Sequence, residues 1–249
     1  MNEKRVKLFA SLANSKYRKE HKLFLVEGVH GVSGLVESGW KVNTILATED
    51  FDIGNISAKT DEIDLERTGQ RTINRICTTK TPQDIVAVAV IPDNDLSKTA
   101  KADKILIADG LKDPGNLGTM IRTAEALGFG SVVTTSGSVD LYNPKTVRAT
   151  QGAMFSIDIA QRITIADLLK RLGSSHTFYA LCGTGDIDLK SVRIEKRIAL
   201  IVGSEIAGID NRLISACRYL VNIPIHGNSE SLNAAVAAGI AMYHFVGRK

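Results

Sequence analysis

Asn116 and Arg122 stand six residues apart in the stretch DGLKDPGNLGTMIRTAE (109–125). Both carry donors suited to a phosphate or a ribose, and a Gly/Pro loop leads into them. The plainer reading is a helix capped by Asn116 with a surface pair, Arg122 and Glu125, on one face. A second stretch, IALIVGSEIAGID (198–210), places Gly203, Ser204 and Glu205 directly after a wholly apolar run, and Gly208 follows. Glycines there let a ligand approach the backbone, and a carboxylate at that point is expected to be buried and partnered; the alternative is a tight turn with an N-capping acid. A third stretch, HGNSESLNAAVAAGIAMYHF (226–245), runs from a polar loop into a helix dense in small residues. Ser229, Ser231 or Asn233 is the candidate cap. The small residues Ala234, Ala235, Ala237, Ala238, Gly239 and Ala241 imply close packing, against the sheet, another helix or a second subunit. His226 in that loop is more often a surface residue than a catalyst.

These loops need strands to hold them. Apolar runs of strand length alternate with helical patterns: strands at 23–28, 42–47, 84–91, 104–110, 131–137, 177–183, 197–203 and 219–225, and helices at 29–39, 117–128, 144–155, 164–173 and 231–246. Pro144 suits a first helical position, and Thr164 and Gly173 bracket an amphipathic helix. Such alternation implies a mostly parallel sheet covered on both faces, with ligands at the C-terminal ends of the strands. The polar, Pro-containing segment PDNDLSKTAKAD (92–103) reads as a linker between two domains.

Composition bounds the function. Across 249 residues, 44% are hydrophobic and 23% charged, enough for a substantial core, and the net charge of +4 suits an anionic partner. Cys77, Cys182 and Cys217 are widely spaced with no metal-ligand pattern, so they read as reduced thiols and no metal site is expected. The basic N-terminal stretch lacks the apolar core of a signal peptide, and Glu3 and Glu20 argue against a mitochondrial presequence. No apolar run reaches the roughly 20 residues of a membrane span. The expectation is a soluble cytoplasmic protein. GFG (128–130) and GTG (183–185) do not extend to a dinucleotide fingerprint, which disfavours an ordinary Rossmann enzyme, and the Walker A, HExxH and GxSxG patterns are absent.

Taken in order, NLGTMIRTAEALGF, LIVGSEIAGI and IPIHGNSESLNAAVAAGIAMYH resemble the three motifs of the SpoU/TrmH class of RNA 2′-O-ribose methyltransferases, in the SPOUT superfamily. Upstream, KYRKEHKLFLVEG and TPQDIVAVAV resemble that family's N-terminal substrate-binding domain, which is similar to ribosomal protein L30e. The resemblance implies an α/β protein: a C-terminal trefoil-knotted, mostly parallel sheet flanked by helices over 104–249, preceded by a smaller L30e-like α/β domain over 1–98. It implies S-adenosylmethionine as cofactor, held by Gly203, Ile223 and Leu232 with neighbours Ser204, Ile225 and Ser231. It assigns catalysis to Arg122, with Asn116, Glu205, Ser231 and Asn233 completing the site, and a homodimer whose seam would use the small residues of the last helix.

Arginine stays protonated near neutral pH, so a role for Arg122 in holding a phosphate and stabilising a developing alkoxide is preferred to one as base. RNA, ribosomal rather than transfer, is the expected substrate, with Lys16, Arg18, Lys19 and Arg148 as backbone contacts. The competing expectations are a transfer-RNA 2′-O-methyltransferase and a non-catalytic RNA-binding protein on the same fold.

Overall fold

A computed structural model describes residues 1–56 and 63–247. The chain divides into two compact units, residues 1–93 with 140–156, and residues 94–139 with 157–249. The first of these junctions falls inside the expected linker, 92–103, most of which belongs to the second unit and contains the helix Leu96–Thr99. The segment 140–156, expected in the C-terminal domain, packs instead with the first unit.

In the first unit α1 (Glu3–Ser11) and α2 (Ser15–His21) start at Asn2 and Asn14, whose side chains accept from Arg5 N and Lys16 N. The sheet consists of β1 (Leu23–Glu27), β2 (Val42–Ala47), β3 (Leu65–Arg67) and β4 (Ile85–Val90) in the order β1-β4-β2-β3. Helices α3 (Val29–Glu37) and α4 (Gln70–Ile76) connect them. Only β2 and β3 run parallel; β4 is antiparallel to both β1 and β2. The sheet of this smaller unit is therefore mixed, a strand direction that strand–helix alternation does not by itself give. The physical reason is that β4 is buried on both faces, and a run of that kind reads the same whichever way its neighbours point.

Residues 140–156 hold to this unit by specific chemistry. Tyr142 lies 4.7 Å from Phe24 between ring centroids, and Phe155 meets Trp40 edge-on at 5.2 Å. Gly34 and Gly152 bring two backbones together: a methyl group on Gly34 would stand 3.2 Å from the Gly152 Cα. Arg18 completes the join. Its guanidinium donates to Asp140 Oδ2 at 2.6 and 3.1 Å and to the carbonyls of Leu12 and Ala13 at 2.7 and 2.8 Å, with its side chain 3% exposed. The expectation that Arg18 contacts RNA is corrected: its donors are spent inside the fold, where no phosphate reaches.

The second unit contains α5 (Leu96–Thr99), β5 (Lys104–Asp109), α6 (Pro114–Ala126) and β6 (Ser131–Thr135). Helix α7 (Pro144–Thr150) falls in the segment already placed with the first unit. The chain then forms β7 (Asp158–Ile163), α8 (Ile165–Leu172), β8 (Thr177–Leu181) and β9 (Ile187–Asp188). It ends with β10 (Ile198–Gly203), α9 (Asn211–Ala216), β11 (Tyr219–Asn222) and α10 (Ala234–Val246). Seven strands lie in the order β7-β6-β5-β10-β8-β11-β9, and every neighbouring pair is parallel. Strands β5, β6 and β10 are buried along nearly their whole length, as a parallel sheet covered by helices requires. None of the described helices is long and apolar enough to cross a membrane. The three cysteines are free, and burial pushes Cys77 and Cys217 up to about 12, so both remain protonated thiols near neutral pH.

Candidate active site

Because all the strands of the second unit run one way, the loops after β5, β6, β8, β10 and β11 leave the same edge of the sheet. Register sets which are neighbours: Asp109 at the end of β5 pairs with Gly203 at the end of β10. The carboxylate of Asp109, 6% exposed, accepts from Thr135 Oγ1 at 2.6 Å and from the backbone N–H of Asp210 at 2.7 Å. One buried side chain thus fixes the bases of three loops. Sequence reasoning expected the buried carboxylate at Glu205; Glu205 is exposed, and Asp109 occupies that role. Its signal was available, an acid closing the apolar run KILIAD.

The loop after β5 ends at Asp113, whose side chain accepts from Asn116 N at 2.8 Å, with Pro114 at the first helical position. Asn116 is therefore not the cap, as had been expected, but sits in the first turn with its amide available. That amide joins two distant loops. Asn116 Nδ2 donates to Glu205 Oε1, and Asn116 Oδ1 accepts from Asn233 Nδ2 at 3.0 Å. Asn233 caps α10, its Oδ1 accepting from the backbone N–H groups of Ala235 and Val236 at 2.9 and 3.2 Å. Donor and acceptor roles fix both amide orientations. A helix N-terminus donates to Asn233, Asn233 to Asn116, and Asn116 to a carboxylate that only accepts. Each bond polarises the next in the same sense.

Beside this chain the loops after β8, β10 and β11 enclose a cleft of about 270 Å³. Gly203, Ser204, Ile223, Ile225, Ser231 and Leu232, the six expected cofactor positions, all line it, and Glu205 and Glu230 do too. The turn 204–208 closes on itself through Ser204 N to Gly208 O at 3.2 Å and Gly208 N to Ser204 O at 3.0 Å. It also packs so closely on Gly203 that a methyl group there would stand 2.3 Å from the Gly208 carbonyl. Leu181, Val202, Ile223, Ile225 and Leu232 make an apolar wall that suits a flat ring, and the two carboxylates suit a cation.

Arg122 is not drawn into the hydrogen-bonded chain. It is exposed on α6, about 120° around the helix axis from Asn116, and forms no ion pair with Glu125. The helix α10 also departs from expectation. Ala234, Ala235, Ala238 and Ala241 are buried within the chain, and Gly239 lies 3.6 Å, at the position of a Cβ, from the Thr123 side chain of α6. They pack α10 inward, so the seam proposed for them is corrected. The residues left outside are Val236, Ile240 and Tyr243, at 52%, 43% and 69% exposure. His226 is exposed and lines no cleft described here.

The family model for the SpoU rRNA methylase family matches residues 103–243 of this chain. The chain belongs to the SpoU rRNA methylase family. A second model, the MRM3-like substrate binding domain, matches residues 3–87. The chain is 36% identical over 245 residues to the 23S rRNA (guanosine(2553)-2′-O)-methyltransferase RlmP of Bacillus subtilis (strain 168), covering 98% of this chain and 96% of that one. It is 31% identical over 257 residues to the 23S rRNA (uridine(2479)-2′-O)-methyltransferase of Streptomyces viridochromogenes, covering 95% and 87%. The crystal structure of the SpoU methyltransferase AviRb from Streptomyces viridochromogenes, in complex with the cofactor AdoMet, superimposes with a TM-score of 0.88 at 28% identity, over 99% of this chain and 98% of that one.

Of the residues expected to touch RNA, Lys16 and Lys19 are exposed on α2, and Lys16 Nζ lies 5.7 Å from the centre of the Tyr17 ring. Arg148 is partly exposed and already engaged. It pairs with the buried Glu27 at 3.1 Å and donates to Thr78 Oγ1 at 2.5 Å.

Proposed function

We propose that the Asn116–Glu205–Asn233 chain and the adjoining cleft are the two halves of one methyl-transfer site. The protein is an S-adenosylmethionine-dependent RNA 2′-O-ribose methyltransferase that acts on ribosomal RNA. The observation that carries the reading is the direct hydrogen bonding of residues from three separate loops, 89 and 117 positions apart, around a cleft with the right chemistry.

The residues present fit the cofactor. The apolar wall would take the adenine ring, Glu205 and Glu230 would face a cationic group, and backbone groups of the turns after β8, β10 and β11 would supply hydrogen bonds. Bound there, S-adenosylmethionine supplies an electrophilic methyl group on a sulfonium. The chain's own part is to set the ribose hydroxyl in line and manage its proton. Holding the two reactants in register is worth several kcal/mol. Asn116 fixes the orientation of the Glu205 carboxylate, and Asn233 fixes Asn116. Arg122, exposed and without an ion-pair partner among the described residues, is free to take the target phosphate and to stabilise negative charge as the oxygen attacks. The proton leaves to phosphate or water. Ser231, on the wall of the cleft, completes the set.

The reading includes three further parts. A homodimer is supported by the exposed apolar row Val236, Ile240 and Tyr243 on α10, which a second copy would cover. A C-terminal trefoil knot is compatible with the crossed strand order β5-β10-β8-β11. Work on ribosomal RNA sets the enzyme in the cytoplasm, with the residues 1–98 as an L30e-like RNA-holding domain that uses Lys16 and Lys19.

Mapping 2′-O-methyl groups in ribosomal RNA from cells with and without the protein tests the function directly. One or a few positions are expected to lose methylation, and an unchanged map with no cofactor binding by calorimetry would leave a non-catalytic RNA-binding protein. For the Arg122 role, Arg122→Lys is expected to lower kcat by about 10²-fold, the size of a lost transition-state donor. Its KM for RNA should change little. Near-full kcat with only a raised KM would mean that Arg122 serves binding alone.

A further inference from the structure

A second and larger cleft, of about 610 Å³, is lined in part by the same 204–208 turn. Ser204, Gly208 and Ile209 line both clefts, so this one adjoins the other across the turn after β10. Its size falls in the range of about 300–1,000 Å³ that takes a ligand as large as a nucleotide. Three of its lining residues, Gly110, Gly137 and Gly208, have φ of 63°, 95° and 67°, and nothing lies within 4 Å of where their side chains would begin. That wall is bare backbone open to solvent, which lets a sugar or base approach closely.

The charges of the cleft are unequal in availability. Asp109 has both oxygens engaged, by Thr135 and by Asp210 N. Asp210 is bound by Arg212 at 2.8 and 2.9 Å, and those hydrogen bonds hold its carboxyl down at about 2, so the pair stays charged and mutually neutral. Lys112 is different. Its Nζ donates to the Gly137 carbonyl at 2.7 Å, which tethers the ammonium at the wall and leaves two of its three N–H groups for a ligand. No carboxylate pairs with it among the described residues.

We propose that this cleft seats the nucleotide adjoining the methylated one, with its phosphate on Lys112 and its sugar and base along the glycine wall. The proposal rests on the RNA methyltransferase reading and adds a substrate subsite to it. Binding one neighbour of the target holds the strand while the target ribose turns toward Asn116 and Glu205. It also places sequence choice at a position that the catalytic residues do not touch.

The test uses the full-length protein, S-adenosylmethionine and a transcript of the ribosomal RNA region that the wild type methylates. Lys112→Met keeps the aliphatic stem and removes the charge; Asn211→Trp fills the mouth of the cleft from an exposed position. Lys112→Met is expected to raise KM for RNA about tenfold and to lower the slope of log K against log salt by about one, as for one lost phosphate contact. Asn211→Trp should raise KM similarly with the slope intact. Both should keep the wild-type cofactor affinity, melting temperature and, within about twofold, kcat. Wild-type KM and slope in both variants would overturn the subsite. So would a fall in kcat at constant KM in Lys112→Met, which would put Lys112 in the chemistry. A wild type that binds cofactor and methylates RNA while both variants behave like it defeats this proposal alone; one that does neither defeats the enzyme reading itself.

Discussion

Arg18→Ala is expected to destabilise the first unit by about 3–5 kcal/mol, the cost of stranding a buried charge by removing its partner. The guanidinium serves two ends at once. It pairs with Asp140 and also satisfies the carbonyls of Leu12 and Ala13 at the turn between α1 and α2. Truncation leaves those carbonyls and a largely buried carboxylate unpaired, and loosens 140–156 from β1. Arg18→Lys should recover only part of the loss, because one ammonium cannot reproduce a planar fork directed at three acceptors. Trp40 is the single tryptophan of the chain and sits edge-on to Phe24 and Phe155, so its fluorescence follows unfolding of this unit. Urea titration read at Trp40 gives the effect, and Asp140→Ala with the double variant gives the coupling. At low temperature the folded Arg18→Ala protein should bind RNA with an unchanged salt slope. A wild-type unfolding midpoint together with a flattened slope would return Arg18 to the RNA-binding surface.

The contrast between Arg18 and its neighbours shows where the sequence stops being readable. In KYRKEHK every basic residue looks alike, and the helix is too short for periodicity to mark an inward face. What buries Arg18 is Asp140, 122 positions away, and no local pattern announces that pairing. The same limit hid the membership of 140–156 in the first unit and the direction of β4. Short or half-exposed strands were missed for a different reason: β9 has two residues and β7 alternates irregularly in burial. The cap of α6, read at Asn116 but found at Asp113, could have been placed from the sequence. Both Asp113 and Asn116 are good caps, but Pro114 decides between them, since proline favours the first helical position and so places the cap just before it. The other strand positions in the second unit, and the loops that carry Gly203, Ile223, Ser231 and Leu232, follow directly from apolar runs and their glycine and polar endings. The site was readable as a set of loops. Its internal wiring was not, because hydrogen bonds between loops depend on strand order.

That wiring makes Asn233 the more informative residue to change. Its carbonyl oxygen caps α10 and its amide nitrogen holds Asn116, so one side chain does two separable jobs. Asn233→Asp keeps the cap, because aspartate caps as well as asparagine and its charge suits a helix N-terminus. It removes the donor. Asn116 Oδ1 would then face an acceptor, and the amide must either lose that bond or rotate to donate its nitrogen there. Rotation turns its oxygen toward the Glu205 carboxylate, which can only accept. Glu205 then either keeps a donor that Asn233 no longer orients or loses it altogether. The expected result is a melting temperature close to wild type and cofactor affinity changed little, since neither Asn116 nor Asn233 lines the cofactor cleft. The same protein should lose about 10²-fold in kcat, the cost typical of removing one oriented donor from an active site. Asn233→Ala should lose the activity and, in addition, about 1 kcal/mol of stability with the cap. If Asn233→Asp turned over within about twofold of wild type, the polar chain would be a structural cap and nothing more, and catalysis would have to rest on Arg122 and Ser231. If instead activity falls while the fold holds, the polarity running from the start of α10 to Glu205 is part of how the ribose hydroxyl is made ready.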